Sequence, residues 1–246
     1  LFGVFQKPDS STSSQQPGVQ QERLHAVLGT PIDAPVADGQ QEVFFGCGCF
    51  WGAEKGFWRL PGVVTTAVGY AGGSLTDPSY QQVCSGRSGH SEVVRVVWES
   101  SAIGFADLLK LFWECHDPTQ GDRQGNDRGS QYRSALFVTS AEQLQLAEAS
   151  RESYQALLSA AGLGTITTEL RQDVPFWPAE TYHQQYLQRK DSRPYCSAQP
   201  TGVPLGPFPG SDFELPAAVW ENYDWSQQHC ILRGDNAPIQ LPAGLD

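Results

Sequence analysis

The segment Gly46-Cys-Gly-Cys-Phe-Trp-Gly52 constrains the fold of this chain more than any other. A short β run, Glu42-Val-Phe-Phe-Gly46, leads into it. Phe50, Ala53, Phe57 and Leu60 follow at the spacing of one helix face. Glycines ahead of a thiol let the backbone turn sharply from strand to helix. The pattern therefore predicts a strand–glycine–helix junction with Cys49 in the first helical turn. Unpaired N–H groups and the helix dipole there favour a thiolate and lower the thiol pKa. Phe50 and Trp51 cannot both face the core from a helix start, so at least one should line the space above the sulfur. A buried structural cysteine is the alternative reading. A dinucleotide fingerprint fails, because Trp51 stands where its spacing needs glycine.

Pro61-Gly62 stops this helix, Val63 to Tyr70 reads as a strand, and Ser79 to Cys84 as a short helical turn. Ser91 to Trp98 is the clearest strand, followed by an amphipathic helix over Phe105 to Cys115. Arg133 to Thr139 is a strand, and Ser140 caps a helix running to about Ala161. Thr165 to Leu170 reads as a last strand and Ala179 to Gln188 as a last helix. The order β-α-β-β-α-β-α-β predicts an α+β fold, a ferredoxin-like plait with a mixed or antiparallel sheet packed by helices. Residues 1–40, rich in Gln, Ser and Pro, form an N-terminal arm, and 41–198 a catalytic domain. Residues 199–246 carry seven of the 17 prolines and form an irregular C-terminal extension. Within it, Ala217 to Tyr223 is expected to dock as one helical turn.

Composition excludes several functions. The 27 acidic and 16 basic residues give a net charge of −11, unsuited to nucleic acid. No apolar run approaches the roughly 18 residues of a membrane span. Residues 1–21 lack signal and transit character, so a cytoplasmic protein is expected, with an organelle as the alternative. Six cysteines, at 47, 49, 84, 115, 196 and 230, are too sparse for a disulfide scaffold. Thiols that are buried or chemically used fit better. The chain contains no Met.

Two further clusters suggest chemistry. Glu92 shares strand parity with Val94, Val96 and Trp98, opposite Arg95. A carboxyl on an apolar face has a raised pKa and suits a general acid. A strand-end Glu reaching water is the alternative. The polar, glycine-dotted stretch from His116 to Tyr132 has the character of a site loop, in which Asp127 and Tyr132 can present hydrogen-bonding groups to a polar substrate atom. A solvated loop is the plainer reading.

Together these residues resemble the A-type peptide-methionine (S)-S-oxide reductases over about residues 42 to 196. The resemblance rests on Gly48-Cys-Phe-Trp-Gly52, Gly69-Tyr-Ala-Gly-Gly73, Tyr80-Gln-Gln-Val-Cys-Ser-Gly86 and Gly89-His-Ser-Glu92. It continues through Phe112-Trp-Glu-Cys-His-Asp-Pro-Thr-Gln120, Arg123-Gln-Gly-Asn-Asp127, Gln131-Tyr-Arg-Ser-Ala135, Ile166-Thr-Thr168 and His183-Gln-Gln-Tyr186. It implies repair of oxidised proteins or free methionine sulfoxide, with Cys49 attacking the sulfoxide sulfur and becoming a sulfenic acid. It further implies that Glu92 protonates the sulfoxide oxygen, and that Tyr80 and Tyr132 hydrogen-bond it. Asp127 would order a site water, and Phe50 and Trp51 would hold the ε-methyl group. Cys196, in Pro194-Tyr-Cys-Ser197, resembles the family's first recycling cysteine, and thioredoxin (or dithiothreitol in vitro) would reduce the Cys49–Cys196 disulfide. The implied protein is a monomer without bound cofactor or metal.

The sequence departs from that pattern. Pro204 stands where many relatives carry a second recycling cysteine, Cys115 stands where Asn usually precedes His-Asp-Pro, and Cys47 adds a thiol beside the nucleophile. Cys230 lies far down the extension, where it could act as a second relay if the tail folds back. Two rivals remain on residue chemistry: a thiol hydrolase with His90 or His116 as base, and a zinc site drawn from Cys47, Cys49, Cys84, Cys115 and His116.

Overall fold

Alternation along the first strand sets the two faces of the sheet. In β1 (Gln40–Cys47), Val43, Phe45 and Cys47 enter the main core, whereas Phe44 joins a smaller cluster on the opposite face. The structure, a computed structural model, describes residues 23–227 and 230–241. After β1 come α1 (Phe50–Trp58), β2 (Val63–Ala71), α2 (Tyr80–Cys84), β3 (Ser91–Glu99) and α3 (Phe105–Glu114). A two-stranded hairpin of β4 (Arg123–Gln124) and β5 (Asp127–Arg128) follows. Then come β6 (Ser134–Val138), α4 (Ala141–Ala160), β7 (Glu169–Gln172), β8 (Phe176–Pro178), α5 (Ala217–Trp220) and α6 (Cys230–Arg233).

The result is a mixed α+β fold. Its six-stranded sheet has the order β7-β6-β1-β3-β2-β8, antiparallel throughout except for the parallel β6–β7 pair. Phe50 and Phe57 of α1, Leu108 and Phe112 of α3, and Tyr154 and Leu158 of α4 pack with Phe45, Val94, Val96 and Trp98 of the sheet. Across the sheet, Phe44, Val93, Phe137 and Val174 form the smaller cluster. On that side Arg95 bonds the Glu42 carboxylate at 2.7 Å and donates to the carbonyls of Ile32 and Ala34. Residues 32 to 34 of the arm are thereby fastened, and His25 reaches Thr66 at 2.9 Å.

Two sequence readings change. No α-helix forms over Ala179 to Gln188; turns lead instead to a single 3-10 turn at Tyr186–Gln188. Long-range bonds override helical propensity there. The Gln184 side chain brackets both the N–H and the C=O of Val68, and Gln185 sits at φ +45°, a left-handed conformation no α-helix accepts. The strand expected over Thr165 to Leu170 lies later, at Glu169–Gln172. Edge strand β8, which ends in a proline as only an edge tolerates, was missed.

Beyond residue 199 the chain wraps back on the core. Leu205, Phe208, Leu215, Val219, Tyr223 and Ile231 are buried in the main cluster, and the expected helical turn forms at Ala217–Trp220. Asp107, fully buried in the first turn of α3, fastens this segment. Its carboxylate accepts from Gly104 N at 3.3 Å, Glu214 N at 2.8 Å and Leu215 N at 3.3 Å. Asp107→Ala leaves those donors buried without a partner, a loss of about 1–3 kcal/mol. Denaturant unfolding should show that loss, with faster proteolysis between residues 199 and 216. Unchanged stability and cleavage would show that the extension holds without this anchor.

Candidate functional site

The junction predicted from the glycines is present. Gly48 adopts φ +89°, and Cys49 is the N-cap of α1 with extended backbone. No side chain of the helix caps it. Instead the Phe50 N–H donates to Glu92 Oε2 at 3.2 Å, so a strand carboxyl serves a helix start. Glu92 is 2% exposed and Cys49 9%, both on the floor of a cavity of about 320 Å³.

The cavity brings together Cys49, Phe50, Trp51, Tyr80, Glu92, Asp127 and Tyr132, every substrate-contact residue expected from sequence. Phe50 and Trp51 both line it. Trp51 stacks on Tyr186 at 3.8 Å between ring centroids, meets Tyr195 edge-on, and donates from its indole to His183 Nδ1. Burial lowers the His183 pKa to about 4, so the imidazole is neutral and can accept that bond. Asp127, on the β4–β5 hairpin, takes the Tyr195 hydroxyl at 2.5 Å, and its second oxygen has no protein partner. Tyr80 is positioned through its backbone N–H, which donates to Glu180 at 2.8 Å.

Cys196 does not line the cavity; its thiol, 5% exposed, lies against Gly52 in the first turn of α1. A Cβ on Gly52 would come within 2.6 Å of the Cys196 sulfur, so only glycine in the first turn of α1 admits that thiol. Cys47, Cys49, Cys84, Cys115 and Cys196 are all free thiols. The side chain of Cys230 lies outside the described residues.

One electrostatic expectation reverses. Burial, then the neighbouring Glu92, push the Cys49 thiol well above its ordinary pKa, and the lowering bond from the Trp51 N–H does not offset them. A helix start favours a thiolate only while solvent also stabilises the charge; here the sulfur is buried. Glu92 follows its expectation. Burial raises it to about 8 against the opposing Phe50 N–H, with Asp127 adding to the rise. The resting site therefore holds a thiol and a protonated carboxyl.

Sequence reasoning missed Tyr186, Tyr195, Arg193, Glu180 and Glu54. The first two fall inside motif blocks and carried that signal. Glu54 is buried in α1 and accepts from both the backbone N–H and the side-chain amide of Gln185, fixing the left-handed residue that places Tyr186 over Trp51. Neither rival gains a complete site. His90 is spent on Gly73 N and Leu75 O, His116 on Phe112 O and Ser134, and neither lines the cavity. Of the five residues suggested for zinc, only Cys47, Cys115 and His116 converge, with donor atoms within 4.8 Å of one another.

Residues 41–203 match the family model described as peptide methionine sulfoxide reductase. The peptide methionine sulfoxide reductase MsrA of Rhodospirillum centenum is 55% identical over 180 residues, 73% of this chain and 82% of that protein. The mitochondrial peptide methionine sulfoxide reductase of Bos taurus is 55% identical over 184 residues, 74% of this chain and 78% of that protein. Among solved structures, methionine sulfoxide reductase A of Corynebacterium diphtheriae superposes with a TM-score of 0.67 at 45% identity, covering 74% of this chain and 88% of that one.

The buried carboxyls predict a pH dependence of stability. Burial raises Glu54 to about 8 from the 4.5 of an unfolded chain, and Glu92 shifts the same way. Between those values the folded state keeps protons that the unfolded state has released, so the contribution of these two carboxyls is fullest below about pH 4.5 and falls as pH rises to about 8. Glu54→Gln, which stays neutral, should reduce the fall in Tm between about pH 5 and pH 8 without removing it. Calorimetry at the two pH values checks this. An equal fall in both proteins would mean that Glu54 is ionised in the fold.

Proposed function

The chain belongs to the peptide methionine sulfoxide reductase family, and we propose that it reduces methionine S-sulfoxide through Cys49, Glu92 and Cys196. The convergence of the thiol, a protonated carboxyl and two aromatic rings on one cavity carries this reading. The methyl end of the substrate lies against Phe50 and Trp51, and the sulfoxide oxygen faces Glu92, Tyr80 and Tyr132. Burial keeps both tyrosines above their ordinary pKa, so their hydroxyls stay available as donors.

Glu92 passes its proton to the sulfoxide oxygen, which makes the sulfur electrophilic. The Cys49 sulfur attacks it while the thiol proton moves to the new carboxylate. Collapse transfers the oxygen to Cys49 as a sulfenic acid and releases methionine, so two electrons pass from the thiol to the substrate. Asp127, with one oxygen unspent, orders a water near the reacting atoms. Cys196 then attacks the sulfenic sulfur, forming the Cys49–Cys196 disulfide and water, and thioredoxin, or dithiothreitol in vitro, reduces it. We also infer a ferredoxin-like plait at the centre of the sheet, on the order β6-β1-β3-β2 with every neighbour antiparallel.

Rapid-quench turnover of a methionine-sulfoxide peptide tests these roles. Cys49→Ser should form no methionine. Glu92→Gln should slow the chemical step by about 10²–10⁴-fold. Cys196→Ser should complete one turnover yet fail to cycle with thioredoxin. A Glu92→Gln rate within about twofold of wild type would reduce the carboxyl to a helix cap. Full thioredoxin cycling without Cys196 would assign resolution to another thiol.

A further inference from the structure

Cys47 ends β1 and Cys115 caps the C-terminus of α3, so strand and helix deliver two thiols to one point in the core, each 2% exposed. Their sulfurs lie within 4.8 Å of each other. The two sulfurs are thus neighbours in the core, and a disulfide would bring them to roughly 2.05 Å. The resolving loop lies against the same turn: Cys196 presses on Gly52, and the Ser197 hydroxyl lies 3.7 Å from the position of a Cβ on Gly48, the residue after Cys47. We propose that Cys47 and Cys115 form a second, internal redox pair that takes over the oxidising equivalent of the Cys49–Cys196 disulfide. The inference rests on the assignment of Cys49 and Cys196 above.

The exchange balances without an outside oxidant, because methionine sulfoxide has already supplied it. Cys115 attacks the Cys196 sulfur, a Cys115–Cys196 bond forms, the Cys49–Cys196 bond breaks, and Cys49 leaves with the proton that Cys115 gives up. Cys47 then attacks the Cys115 sulfur, a Cys47–Cys115 bond forms, and Cys196 leaves as a thiol with the proton from Cys47. Cys47 and Cys115 together lose two electrons, while Cys49 and Cys196 regain them and can act again. Burial holds the Cys115 thiol well above its ordinary range, which makes the inward step slower than resolution by Cys196.

Metal binding is the other chemistry open to this cluster, and the hydrogen bonds disfavour it. His116 Nδ1 faces the Phe112 carbonyl at 2.7 Å, and a carbonyl only accepts, so that nitrogen carries the proton. Its Nε2 therefore accepts from the Ser134 hydroxyl at 2.8 Å. Nδ1 also lies 3.9 Å from Cys115 Sγ, but as the protonated nitrogen it offers the sulfurs no lone pair, and two thiols alone fall short of a structural zinc set.

The test is a titration without reductant. Fully reduced protein, freed of dithiothreitol under anaerobic conditions, meets excess methionine-sulfoxide peptide; methionine per chain is counted and disulfides are mapped by alkylation and mass spectrometry. Wild type should form two methionines per chain and carry a Cys47–Cys115 disulfide. Cys115→Ala should form one, with an unchanged first-turnover rate. One methionine per wild-type chain, with the Cys49–Cys196 disulfide present and Cys47 and Cys115 alkylated as thiols, would overturn the internal pair and leave the catalytic assignment standing. One zinc per chain bound tightly by the reduced protein would overturn it in favour of a metal site. No methionine at all would remove the catalytic assignment and the pair together.

Discussion

The site depends on one hydrogen bond, from the Phe50 N–H to the Glu92 carboxyl. A helix start needs acceptors for its first N–H groups, and α1 has no capping side chain of its own. The neighbouring strand supplies one, and in doing so fixes a carboxyl beside the N-cap thiol. Both groups are buried, and burial favours the neutral form of each. In the proposed mechanism this arrangement keeps the thiol proton and the acid proton in place until a sulfoxide oxygen arrives to accept one of them. A solvated helix start would instead release the thiolate early and expose it to other oxidants.

The helix that Cys49 caps is surrounded. Its inner face packs on the sheet, while its outer face meets the C-terminal extension through Lys55 to the Gly234 carbonyl, Trp58 to the Asn236 carbonyl, and the Tyr223 hydroxyl to the Gly56 carbonyl. Glu54 turns toward residues 183–188 and thus joins the helix to the aromatic wall of the cavity. One short helix therefore couples Cys49, wall and extension, which explains why nearly all of its residues are buried. A typical surface helix buries one stripe only.

What the sequence revealed follows from how local each signal is. Strand alternation in Ser91–Glu99, the Ser140 cap and the glycine collar at Cys49 depend on neighbours a few residues away, and all three appear in the structure. Glu92 was legible because strand parity assigns a face without any knowledge of what covers it. The region after Ala179 was not, because Gln184 and Gln185 obey partners on β2 and α1 more than one hundred positions away. The Cys49 thiol pKa was misread for a related reason: the helix start is local, but the depth of burial that outweighs it is a property of the whole fold. The convergence of Cys47 and Cys115 likewise depends on where the end of a strand meets the end of a helix.

The central claim is that the resting site is fully protonated and that Glu92 delivers the proton that starts the reaction. The most direct measurement is the single-turnover rate of methionine formation across roughly pH 6 to pH 10, at saturating peptide and without recycling. The account predicts a rate that is level at low pH and falls as pH rises through about 8, where Glu92 loses its proton. A rate that instead climbs through the same range, following ionisation of a free thiol, would contradict it.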